Sequence, residues 1–195
     1  MKTHSHSFVP YLVSLLVVTA NTAVVRAAEV YKVDPIHSSI VFKIGHLGMA
    51  NVHGRFNDVS GTITFDKDNP SKSAVEFSVP IESVDTHVAK RDQHLKSPDF
   101  FNAKQFPVMT FKSRSVKETG KDSYQTAGDF TLHGVTKPLT IDFKKGGEGK
   151  GMQSEYRAGG ETQFTVKRSD YGMNFMLNAV ADEVNVELAI EGIRQ

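Results

Sequence analysis

Three groups of side chains in this sequence are spaced so that they could do chemistry. The first lies in residues 83–111, Ser-Val-Asp-Thr-His-Val-Ala-Lys-Arg-Asp-Gln-His-Leu and onward, where Asp85 or Thr86 can cap a short helix that Pro98 stops. On such a helix Val88, Arg91, Asp92 and Leu95 share one face, and His87, Arg91 and His94 overlap it. Charges on an apolar face admit two readings. One is a structural cluster of Arg91 with Asp92 or with loop carbonyls. The other is a polar mouth over an apolar cavity, with Arg91 and His94 meeting the head group of an amphiphile.

The second group, Asp34, His37 and Ser38, has the residue types of a hydrolytic triad, with His46 and His133 as further bases. Crowding three triad members into five residues opposes that reading, because neighbours on an extended segment point to opposite faces. No Gly-x-Ser-x-Gly elbow is present. The third group is the histidines. His46 and His53 are seven apart, as are His87 and His94, and the one His-x-His pair, His4 and His6, falls in the leader. No catalytic constellation, metal site or resident cofactor is expected.

The elements that would position these groups are mostly strands. Alternation puts Ser38, Ile40, Phe42 and Ile44 on one face, and similar runs occupy Val30–Val33, Val59–Phe65, Ala74–Ile81, Val108–Glu118, Ser123–Leu132, Tyr156–Lys167 and the end of the chain from Val184. Asn51–Phe56 and the segment around Leu139–Phe143 complete the set. Gly54 and Gly61 suggest bulges or bends, Gly159–Gly160 a break, and Gly146–Gly151 a flexible exposed loop. After Pro98 a second helical turn is expected over residues 98–102. The pattern predicts about eight strands and one helical insertion in a single all-β unit. Closure into a barrel would remove its edges. Phe42, Phe77, Met109, Phe111, Phe130, Phe143 and Phe164 fall on inward faces of these strands. With Phe175 and Met176 from the irregular 168–181 stretch, they are the candidate wall of an apolar cavity.

Composition narrows the classes. The chain has 195 residues, a formal charge of +1, no cysteine and no tryptophan, but thirteen phenylalanines. No disulfide or thiolate metal site is available, and no basic run offers a nucleic-acid footprint. Phe8–Ala20 is an apolar run, and Val25-Arg26-Ala27 places small residues before a cleavage point, so residues 1–27 are expected to be a signal peptide and 28–195 the exported domain. That run is short, with Pro10 and Ser14 inside it and Asn21 just after it, and no stable membrane insertion is expected after cleavage. The oligomeric state is open, a homodimer included.

Several ordered motifs then carry a resemblance. They are His46-Leu47-Gly48, Gly54-Arg55-Phe56, Ser83-Val84-Asp85-Thr86, Arg91-Asp92-Gln93-His94-Leu95-Lys96-Ser97-Pro98-Asp99-Phe100-Phe101 and Phe106-Pro107-Val108-Met109-Thr110-Phe111. Gly128-Asp129-Phe130-Thr131-Leu132-His133-Gly134-Val135-Thr136-Lys137-Pro138, Asp170-Tyr171-Gly172-Met173 and the ending Glu191-Gly192-Ile193-Arg194-Gln195 follow. Together they resemble the YceI-like family of exported, polyisoprenoid-binding proteins. The resemblance implies a lipocalin-like eight-stranded antiparallel barrel holding a long isoprenoid or similar amphiphilic lipid, in a periplasmic or secreted protein of the bacterial envelope. It implies a ligand class for carriage, storage or stress protection rather than a pathway, and carries no catalytic motif. A hydrolase using Asp34, His37 and Ser38 is the alternative.

Overall fold

The structure, a computed structural model, describes residues 1–2 and 27–195. The expected signal peptide lies almost wholly outside the described residues. Its strands are β1 (Glu29–Val33), β2 (Ser39–His46), β3 (Ala50–Phe56), β4 (Ser60–Phe65), β5 (Ala74–Pro80) and β6 (Val84–Asp85). Helix α1 (Ala89–Lys96) follows, then β7 (Val108–Gly120), β8 (Ser123–Leu132), β9 (Val135–Lys150), β10 (Tyr156–Lys167) and β11 (Val180–Arg194).

All pairings are antiparallel, and β1, β4, β5, β7, β8, β9, β10 and β11 pair in a ring that closes through β1 and β11. The strands β2, β3 and β6 extend this ring from the other half of β11, which pairs with β1 near Gly192 and with β2 from Val180 to Ala189. The first three staves of the barrel are therefore bent: β1 with β2, β3 with β4, and β5 with β6. Asp34-Pro35 makes the first bend, since proline has no N–H for a ladder. The barrel is the eight-stranded antiparallel one expected, drawn as eleven segments because three staves are broken.

Inward positions follow the period of two. Phe77, Phe111 and Phe130 stand in register on β5, β7 and β8, and Phe42, Val186 and Phe164 on β2, β11 and β10. Gly54 and Gly61 do not form bulges: their ladders run without a shift. Each instead gives room to a ring. A Cβ on Gly54 would lie 2.3 Å from Phe42 Cζ, and one on Gly61 would lie 2.6 Å from Phe77 Cδ1. A register shift does occur at Gly159/Gly160, where a break was expected. Residues 146–149, expected as a loop, continue β9 and pair with β10 up to Tyr156↔Lys150. Glycine-rich composition misled there, because a long two-stranded extension needs only backbone.

At one end the ring is incomplete. β5 pairs with β7, but β6 pairs only with β3, and α1 with the turns that follow fill the space beside it. Ile81 N donates to Pro107 O at 2.9 Å and pins the end of that excursion. The expected helical turn at 98–102 is a set of tight turns, in which Phe101 N reaches back to Leu95 O at 2.9 Å. The core cluster runs from Val33, Ile40 and Phe56 through Val79, Ile81 and Met109 to Tyr171, Met173 and Ile190.

Candidate functional site: an apolar cavity with a basic mouth

The barrel encloses a cavity of about 420 Å³, a size typical of small-molecule sites. Of the expected wall, Phe42, Phe77, Met109, Phe111, Phe130, Phe164 and Met176 line it, as do both expected head-group residues, Arg91 and His94. Two expected wall residues do not. Phe143 sits deeper in the barrel, over Gly160, and lines a separate small chamber. Phe175 lies on the rim, 38% exposed, with its ring 5.6 Å from His94 and 5.4 Å from Phe100. Alternation fixes which face a residue takes, not its depth along a barrel, and Phe175 belongs to no strand.

Among the described residues, the titratable side chains lining the cavity are His46, Arg91, His94 and Arg168, and no carboxylate lines it. They belong to one end. His46 pairs with Val180, Arg168 binds the Val180 and Phe175 carbonyls, and Phe175 meets His94, of the helix that carries Arg91, edge to face. Leu47, Met49, Met176 and Leu177 are exposed apolar side chains on the two loops that meet here, joined by Leu47 N donating to Ala179 O at 2.6 Å.

The helix start is built differently from the expectation. Val88 is the N-cap and gives no side-chain cap bond. Asp92, in the first turn, reaches back instead and accepts from Thr86 N at 2.9 Å and Thr86 Oγ1 at 2.5 Å. Arg91 then donates through Nε to Thr86 Oγ1 and through a terminal nitrogen to Thr86 O, both at 2.7 Å. The structural cluster foreseen for Arg91 and Asp92 therefore exists, organised around Thr86, and the same Arg91 borders the cavity. His94 Nε2 lies 2.8 Å from Asp99 Oδ2.

Arg168, which sequence reasoning passed over, is the most buried charge at this end, 3% exposed. It donates to the carbonyls of Ala181, Met173, Phe175 and Val180 at 2.7–2.9 Å. Burial pushes its pKa down, and Asp182 opposes that shift. The signal was faint: a basic pair, Lys167-Arg168, at a strand end reads as surface.

Asp34, His37 and Ser38 do not assemble a nucleophile and its base. His37 Nδ1 is 2.7 Å from Asp34 Oδ2, but Ser38 Oγ donates to Glu191 O and accepts from Glu191 N at 3.1 Å. Asp34, His37 and Glu191 also cluster closely enough to suggest metal ligands. Arg157 occupies that place: one of its terminal nitrogens binds Asp34 Oδ2 at 2.7 Å and Glu191 Oε1 more closely still. The His37 and Arg157 bonds hold the Asp34 carboxyl down at about 2. The arrangement is an ionic lock in which Arg157 of β10 ties the β1–β2 bend to β11.

A closed antiparallel barrel around an apolar cavity with a polar mouth defines a ligand-holding barrel. Residues 31–192 match the model of the YceI-like domain, and the chain belongs to that family. It is 45% identical over 176 residues to a UPF0312 protein of Pseudomonas aeruginosa, covering 89% of this chain and 92% of that one. To a UPF0312 protein of Yersinia enterocolitica it is 41% identical over 184 residues, covering 93% and 94%. Among solved structures it is similar to the Campylobacter jejuni YCEI protein, with a TM-score of 0.70, 30% identity, and 77% and 90% of the two chains covered. It shares the fold of Burkholderia cenocepacia BcnA, with a TM-score of 0.72 at 21% identity, over 82% of this chain and 98% of that one. A polyisoprenoid binding domain from Saccharophagus degradans also shares the fold, with a TM-score of 0.65 at 14% identity, over 85% and 98%.

Proposed function

We propose that this protein is an exported carrier or store of a long-chain isoprenoid or similar amphiphilic lipid in the bacterial envelope, periplasmic or secreted. The observation that carries the reading is the polarity of the cavity: hydrocarbon side chains along its length and Arg91, His94, His46 and Arg168 at one end. A tail buried in the barrel gains about 0.8 kcal/mol per methylene. The gross gain of a long tail exceeds any real affinity, so the tail sets residence and the head group sets choice. Arg91 and His94 are the head-group residues of this reading, at the barrel mouth. The fold shared with a polyisoprenoid binding domain supports the ligand class.

The test is native mass spectrometry of protein purified from its own exported compartment, with lipid extraction of the same sample. One amphiphile per chain, on a protein that has lost residues 1–27, is the expected result. A lipid-free protein that takes up no added amphiphile overturns the reading.

A further inference from the structure

A second chamber, of about 90 Å³, lies beyond the main cavity. Phe77, Ile141 and Leu188 border both spaces, so these three side chains form a floor between them. The lower space is bounded mainly by apolar groups, among them Val116 and Phe143, with Ala158 of β10 facing the same void. Phe77 is the largest side chain of this floor. Its ring rests on Gly61, where any Cβ would collide with it, packs against the core cluster and borders both spaces. A tail passing from one space to the other must turn this ring to another rotamer.

We infer that the lower chamber is a second subsite for the tail, receiving the terminal end of long amphiphiles that pass the Phe77 floor. This rests on the tail-binding reading above and adds a chain-length ruler to it. The main cavity takes any tail of sufficient length. The lower chamber rewards only tails long enough to reach it, and each further methylene that enters raises affinity about fourfold.

The experiment is a homologous series of straight-chain alkyl phosphates, titrated against the full mature chain and two variants that fill the lower chamber, Val116→Phe and Ala158→Leu. In the unaltered protein, affinity should climb with chain length and then level off. In the variants, short members should bind as before, while the plateau comes at a shorter chain. Thermal midpoints identify any variant that has lost its fold, and the other variant then serves. In the unaltered protein, the methyl resonances of Val116 and Thr126, which both line the lower chamber, should shift with long members and not with short ones. A plateau at the same length in all folded proteins, or no methyl shift with the longest bound member, overturns the subsite and leaves tail binding standing. Failure of the unaltered protein to bind any member overturns the tail-binding reading itself.

Discussion

Arg168 gives four hydrogen bonds to main-chain carbonyls, whereas Arg91 gives two, both to Thr86. The two arginines therefore answer substitution differently. Arg168→Met strands four carbonyls of the 173–181 segment, that of Met173 buried and the others partly so. It should cost about 3 kcal/mol of stability, because an unsatisfied buried acceptor costs about 1–3 kcal/mol. Arg91→Met removes bonds from a half-exposed cluster and should cost about 1–2 kcal/mol. If Arg91 also meets the ligand, it weakens lipids with anionic heads about tenfold more than neutral lipids of the same tail, the worth of one charge-assisted bond. Thermal midpoints measured beside the two affinities separate these effects. Equal changes for both lipids would leave Arg91 a structural residue alone.

Among the elements, the bend between β1 and β2 depends on Asp34, which is 7% exposed and bound to Ile36 N, His37 and Arg157. Its carboxyl is held below its ordinary value of 3.8, at about 2. A carboxylate depressed in the folded state stabilises it above the ordinary value, and that contribution drains away as pH falls toward the folded value. Asp34 should thus supply on the order of 2 kcal/mol near neutrality, lost between about pH 4 and pH 2. Glu148, bound by Lys145 and Lys67, is also held at about 2 and titrates in the same window. Asp34→Asn should lower the thermal midpoint at neutral pH and flatten, without abolishing, its fall in acid. A midpoint with unchanged acid dependence would mean the lock does not bear on stability.

That bend was legible as Asp34-Pro35, but its ion partner Arg157 was not, since 123 residues separate Asp34 from it. The strand phases of Phe42, Phe111 and Phe164 were legible because period two survives bending. The depth of Phe143, the place of Phe175 and the burial of Arg168 were not. Each depends on how far staves slide past one another and on loops whose course no local pattern dictates. Residues 146–149 erred in the other direction: glycines that read as a loop extend a ladder.

For the whole molecule, closure of the ring through β1 and β11 removes the sheet edges those strands would expose, and a chain with no cysteine is left to packing and ion pairs for its stability. The same closure creates an apolar interior, opened at the end where β6 turns away from β7 and where α1 and the 173–179 loop converge. Fold, cavity polarity and family membership all bear on one claim, that a lipid tail lies inside this barrel. The chain has no tryptophan, so Phe164→Trp places a single indole on the cavity wall. Titration with a fatty acid brominated midway along its tail should quench that indole and saturate at one equivalent, while a tryptophan introduced at the outward-facing Lys112 stays bright. A brominated lipid that binds and leaves the Trp at position 164 unquenched would contradict the account.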